Sequence, residues 1–260
     1  MKFIVLFALA LESTALSNTY DYPDSHQPTV DKLVGKYAHY DVVSYKEKIG
    51  PVTMKNIIVS YGLDEFSDNG SSLVLTNRFC FSEYITNLPF TTKVNDEFTK
   101  AIIPEPVEVM LSEDDGRIKV YRPRTPTTLG VQLNDLVNEA LPTKSNDPRL
   151  IDADKDGKPG VTVKIKLFGR VDGEIYITRK EVFEYNMELQ NDGSFYGSVI
   201  DNSEQSTVGA KPFYLKSQRN PRQDPDSSKS FIMLQPVEKD FSCDDLKENR
   251  DWMFPENPEV

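Results

Sequence analysis

Short runs of β-branched and aromatic residues, interleaved with polar ones and bounded by Gly, Pro, Asp and Asn, recur along most of this chain. They fall at 34–45, 56–61, 71–82, 107–111 and 118–121, then at 161–168, 174–179, 182–189 and 194–200, with 231–236 as a last strand. Asp68-Asn69-Gly70, Asp114-Asp115-Gly116, Val171-Asp172-Gly173 and Asn191-Asp192-Gly193 carry the turn chemistry that reverses a chain between antiparallel neighbours. Helical spacing occurs twice, in Val94, Phe98, Ile102 and in Leu133, Leu136, Val137, Ala140, predicting short helices over 95–102 and 133–141. Many short strands with few helices predict a mainly β fold: an antiparallel β-barrel or β-sandwich with one or two short helices.

The first residues follow another pattern. Lys2 precedes an unbroken apolar run from Phe3 to Leu11, and small residues at Ala15 and Ser17 stand three and one positions before Asn18. That is the arrangement of a secretory signal peptide, residues 1–17, cleaved after Ser17. As a helix the apolar run spans about 14 Å, roughly half a bilayer core, so it reads as a leader and not as an anchor. No later segment is long and apolar enough to cross a membrane, so the chain reads as not membrane-spanning and as secreted or periplasmic. Residues 18–33, broken by Pro23 and Pro28, read as a flexible N-terminal arm, 34–243 as a single β-rich domain and 244–260 as an acidic C-terminal tail. The 243 residues left after cleavage (260 − 17) are enough to bury one core.

Composition narrows the partners. A formal charge of −11 argues against electrostatic capture of DNA, RNA or anionic lipid and favours cations. The chain's two cysteines, Cys80 and Cys243, read as a disulfide in an oxidising compartment. The competing reading, a nucleophilic Cys80, lacks a base, because the only histidines are His26 and His39 and neither stands in a signature that presents one to a thiol.

The most specific motif is Asp152-Ala153-Asp154-Lys155-Asp156-Gly157-Lys158-Pro159-Gly160. Carboxylates at alternate positions followed by glycine turn several hard oxygen ligands inward on one Ca²⁺, with the Lys158 carbonyl able to add another. The metal set expected is therefore Asp152, Asp154, Asp156 and Lys158, holding a structural Ca²⁺. Pro159 and Gly160 block the exiting helix of an EF-hand, and Val163 stands where its bidentate Glu would be, so a further ligand must come from elsewhere, with Asp147, Asp172 and Glu174 the nearest candidates. The alternative is a solvated acidic turn. The block from Asp152 to Val163 resembles the D-x-D-x-D-G-x-P-G-V-T segment of uncharacterised exported bacterial proteins, and its aspartates are similar to a single thrombospondin type 3 calcium repeat. The first resemblance extends through Gly173-Glu174-Ile175-Tyr176 and 204–210, and neither implies a reaction.

H-E-x-x-H, G-x-S-x-G, glycine-rich phosphate loops and zinc-type clusters are all missing from the sequence. A carboxylate-dependent extracellular hydrolase needs only paired Asp and Glu, but Glu174 and Glu181, the nearest candidates, read as solvated strand charges. Phe79, Phe81, Tyr84, Tyr176, Phe183, Tyr185 and Tyr196 could line a shell around an apolar small molecule, as in a lipocalin-like carrier. The sequence thus leads to an exported binding or surface-interaction module with a cell-surface partner, with the apolar-ligand carrier and the hydrolase as alternatives.

Overall fold

Along Gly35–Ile49, the first strand (β1), the odd positions Tyr37, His39, Asp41, Val43 and Tyr45 and the even positions Ala38, Tyr40 and Val42 are all buried. A strand apolar on both faces needs cover on both sides, and the rest of the fold supplies it. In the computed structural model, which describes residues 27–167, 169, 171–219 and 221–259, β1 is followed by β2 (Val52–Asp68), β3 (Leu73–Thr86), β4 (Phe90–Lys93), β5 (Val107–Asp114) and β6 (Arg117–Leu129). Then come β7 (Val161–Leu167), β8 (Val171–Leu189), β9 (Phe195–Asp201), β10 (Glu204–Lys211), β11 (Arg222–Gln223) and β12 (Phe231–Val237). Among the described residues three α-helices accompany them: α1 (Gln27–Leu33), α2 (Asp96–Lys100) and α3 (Cys243–Met253). The expected signal peptide, 1–17, lies outside the described residues.

All pairings between these strands are antiparallel, in the order β8-β6-β5-β3-β2-β1-β12-β9, and β9 returns to β8 through Phe183↔Asp201 to Leu189↔Phe195. That last pairing closes the sheet into a ring. β8 is long enough to serve two layers. Its second half lies in the ring between β6 and β9, and its first half carries β7 on one side and β10 on the other. β4 extends the wall beyond β7. The ring interior at one end is filled by Tyr37, Phe66, Leu73, Met187, Phe195 and Leu234, with Val30 and Leu33 of α1 packed against them.

The outer face of β1, β2 and β3 is covered by α3. Leu246 and Phe254 pack on Tyr40, Tyr61 and Phe81, with the Phe254 ring stacked on Tyr40 at 5.0 Å. Burying two such side chains stabilises the docked helix by roughly 3–6 kcal/mol. Ser242 and Asp245 start α3 with a reciprocal capping box, and Cys243 at its first turn is bonded to Cys80 of β3, their Cα atoms 5.5 Å apart. The expected disulfide is thus present.

Four expectations change. Residues 27–33 are not part of an arm but a helix whose Val30 and Leu33 enter the core. The expected acidic tail contains α3, because the second apolar face of β1 and β2 needs a cover. Residues 174–179 and 182–189 are one strand, since Arg179 and Glu181 pair with each other inside the ring and no turn separates them. Residues 133–141 form turns and no helix: the Asp135 carboxylate takes the N–H groups of Val137 and Asn138 out of any helical ladder, and Leu136 and Val137 stay exposed.

Candidate functional site

Between β6 and β7 the chain leaves the barrel and returns, stitched by Gln132 N–H to Arg149 O, Ile151 N–H to Gly130 O and Gly160 N–H to Ile151 O. The aspartate motif sits at the return. Gly160 adopts φ +81°, and a Cβ there would stand 2.3 Å from Ile177 O, so only glycine lets the loop close against β8. The loop then folds on its own backbone. Asp152 accepts from Asp156 N–H (3.0 Å) and Gly157 N–H (2.8 Å), Asp156 accepts from Lys158 N–H (3.0 Å), and Asp154 accepts from Thr162 N–H (3.0 Å) at the start of β7.

These bonds bring one carboxylate oxygen of each of Asp152, Asp154 and Asp156 within 4.8 Å of the others. Asp154 is 3% exposed and its Oδ1 has no hydrogen-bond partner. Burial, followed by the neighbouring Asp156 and Asp152 charges, holds its pKa above the usual carboxylate range. Such a trio of hard oxygens is a donor set for a divalent cation. Lys158 does not turn its ammonium into the trio: Nζ donates to Glu174 (2.8 Å) and lies 3.5 Å from Asp156, so a ligand role for Lys158 rests on its main-chain carbonyl. The outside candidates are engaged elsewhere. Asp147 holds Arg149 at 2.9 Å and 3.0 Å, and that guanidinium pulls its pKa down to about 2. Glu174 is shared by Lys158 and the Tyr176 hydroxyl, and Asp172 lies 3.9 Å from Lys166.

Behind this loop, β7 and β8 form one wall of a cavity of about 530 Å³ at the end of the ring where β4, β7 and β10 extend it. Met54, Ile58, Phe90, Ile165, Ile175 and Ile177 give it an apolar lining, and Arg179, Tyr45 and Tyr84 form its polar floor. The floor is internally satisfied. Arg179 is gripped by both oxygens of Glu181 and donates to Gln205 at 3.1 Å, and the Tyr45 hydroxyl donates to Asp201. No protein-family model, curated protein or solved structure matches this chain. Its chemistry therefore has to be read from these side chains.

Beneath the floor lies a polar column that the sequence reading did not single out. Both ring nitrogens of His39 face carboxylates, Nε2 at 2.7 Å from Asp41 and Nδ1 at 3.0 Å from Asp64. Two acceptors facing two nitrogens fit an imidazolium that donates to both. Burial works against that charge, but Asp64 and Asp41 outweigh it and push the pKa up to about 10. Asn77 bridges Asp64 to the buried Arg122, whose guanidinium lies 5.2 Å from the Tyr185 ring centre and donates to Phe183 O. The signal was available: His39 and Asp41 share the parity of Tyr37, Val43 and Tyr45, the core face of β1. Because both nitrogens are engaged, His39 offers no base to a nucleophile.

Two further expectations are corrected. Glu181 is buried against Arg179 and is not a solvated strand charge. Of the seven aromatics expected to line a ligand shell, only Tyr84 reaches the cavity: Phe79, Phe183 and Tyr185 fill the interior, Phe81 lies under α3, and Tyr176 and Tyr196 face outward. Alternation assigns a face of a strand, but not the level at which a ring closes.

Proposed function

We propose that this protein is a binding module of an extracytoplasmic compartment that encloses an apolar small molecule at the open end of its barrel. The observation that carries this reading is the cavity of about 530 Å³, with a cluster of apolar side chains from β4, β7 and β8 on its walls, at the end of a ring whose other end is packed. Its size is that of pockets enclosing small ligands, about 300–1,000 Å³. A disulfide and the absence, among the described residues, of any helix long and apolar enough to cross a membrane are compatible with export. A hydrolase is less well supported, because Glu181 and Asp201 are engaged by Arg179 and Tyr45, and Glu47 of the lining, although its Oε2 has no partner, is held through Oε1 by Arg219 at 3.3 Å.

Ca²⁺ belongs to the same reading. The buried, partnerless Asp154 oxygen beside two more carboxylates supports a cation there, and Thr162 N–H ties Asp154 to β7, whose Val163 and Ile165 line the cavity. A bound ion would brace that wall without performing chemistry, since no nucleophile or base adjoins it.

The test is displacement of an environment-sensitive fluorescent fatty probe, with native mass spectrometry of protein purified without detergent. Wild type should bind the probe at micromolar concentration or better. Ile177→Trp, which fills the cavity from β8, should weaken binding at least about tenfold while the far-ultraviolet circular dichroism stays native. A wild type that binds neither probe nor any copurified apolar molecule would sink the proposal.

A further inference from the structure

A groove of about 610 Å³ crosses the outer face of the wall formed by β4, β7, β8 and the end of β10. Lys93, Lys164, Lys166 and Lys211 line it together with Asp172 and Glu174, a local balance of +2 (4 − 2) in a chain of formal charge −11. The two acids are partly engaged, Glu174 by Lys158 and Asp172 by Lys166. Strand register sets Lys93 directly opposite Lys164, a destabilising like-charge pairing that Glu174, opposite Lys164 on the other side and shared with Lys158, offsets only in part. Immediately after β10, the 3₁₀ turn Phe213–Leu215 projects Phe213 and Tyr214 into solvent, 83% and 64% exposed, with their rings 6.1 Å apart. The same turn closes one side of the cavity through Tyr214 and Leu215.

We propose that this lysine groove and aromatic turn dock the open end of the barrel on a bilayer containing anionic lipid, the reservoir from which an apolar ligand enters the cavity. The inference rests on the ligand-binding reading and names the surface that would serve it. Aromatic rings settle at the level of lipid headgroups, and lysines beside them are drawn to anionic headgroups. The chain's charge of −11, which read from sequence argues against anionic lipid, weighs less at this face, because at physiological salt charges beyond about 8 Å are largely screened. A protein partner fits the face less well, since the cores of protein interfaces are depleted in lysine.

The experiment is co-sedimentation of the whole protein with vesicles of phosphatidylcholine alone or with about one-third phosphatidylserine, at low and high salt. Wild type should bind the anionic vesicles at least about tenfold better than the neutral ones, and binding should fall as salt rises. Lys164→Glu with Lys166→Glu, and separately Phe213→Ser, should each reduce vesicle binding by about tenfold or more. None of these three side chains lines the cavity, so probe affinity measured on the same variants in the absence of vesicles reports the cavity separately. Unchanged probe affinity with lost vesicle binding supports the assignment. Wild type that stays in the supernatant with anionic vesicles, or variants that bind them as well as wild type, overturn it whatever the probe shows.

Discussion

Replacing Asp154 by Asn should move stability in opposite directions with and without Ca²⁺. The substitution keeps the shape of the side chain and an oxygen for Thr162 N–H, but removes one of three charges whose oxygens lie within 4.8 Å. At that separation each like-charge pair costs about 0.9 kcal/mol in bulk water and about 3.5 kcal/mol at an effective dielectric of about 20. Two pairs involve Asp154. Lys158, at 3.5 Å from Asp156, and solvent around the exposed Asp152 and Asp156 offset part of this, so the net relief without metal is about 1–2 kcal/mol. In chelator the variant should therefore melt about 2–8 °C above wild type. With free Ca²⁺ at about a hundred times its dissociation constant, wild type gains about 2.7 kcal/mol, or about 5–10 °C, and the variant gains little. The two melting curves cross as Ca²⁺ is raised, which scanning calorimetry or circular dichroism would record. A wild-type melting temperature indifferent to millimolar Ca²⁺ and to chelator would refute the metal site. A variant less stable than wild type in chelator would refute the repulsion argument even if Ca²⁺ binds.

Three other outcomes are expected. Cys80→Ser with Cys243→Ser removes a cross-link between residues 163 apart, worth up to about 5 kcal/mol by chain entropy, so the urea midpoint should fall steeply; a midpoint unchanged on reduction would contradict the bond's role. Leu246→Ala should cost about 2–5 kcal/mol and loosen α3, seen as faster hydrogen exchange in Tyr40 and Tyr61; exchange as slow as in wild type would show that α3 does not cover that face. His39 has a folded pKa raised from 6.5 to about 10, so its contribution is complete below about pH 6.5 and is lost as pH rises towards 10. Denaturant midpoints at pH 6 and pH 9.5 should differ more in wild type than in His39→Gln, and equal differences would remove the imidazolium from the account.

The strands were legible because each is a local pattern, and the aspartate trio was legible for the same reason: its three carboxylates lie within five residues and fold on their own backbone. What the sequence hid was long-range. Arg179-Lys180-Glu181 reads as a polar break, yet Arg179 and Glu181 pair inside the ring while the Lys180 ammonium reaches out to Val137 O and Glu139 O, so the strand continues. Helix α3 was concealed by its acids, although Ser242-x-x-Asp245 followed by Leu246 is a capping signature that could have revealed it. The cavity left no local trace. Its lining comes from both ends of the chain and depends on where β8 meets β6, β9, β7 and β10.

The polar column explains why one end of the ring is hollow and the other is not. Strands around a closed ring deliver side chains in levels, and the level of Tyr37, Phe66, Leu73 and Phe195 is filled with rings and leucine. At the next level His39, Asp41, Asp64, Asn77 and Arg122 replace them, each engaged by its neighbours. A well-packed apolar layer would serve stability as well or better, since burying ion pairs is often neutral or worse than burying hydrophobic residues of similar volume. What a hydrogen-bonded layer adds is direction: each partner fixes the next, so the column has one arrangement, and above it Arg179 is held separately by Glu181 and Gln205. Above it the walls continue through β4, β7 and β10, with aliphatic side chains on β7 and β8, and the volume stays open. A floor in which Arg179 and Tyr45 are already paired makes no demand for an ion partner on a ligand, so on the proposed function size and apolar fit at the walls, above all at Ile165, Ile175 and Ile177, would decide what the cavity accepts.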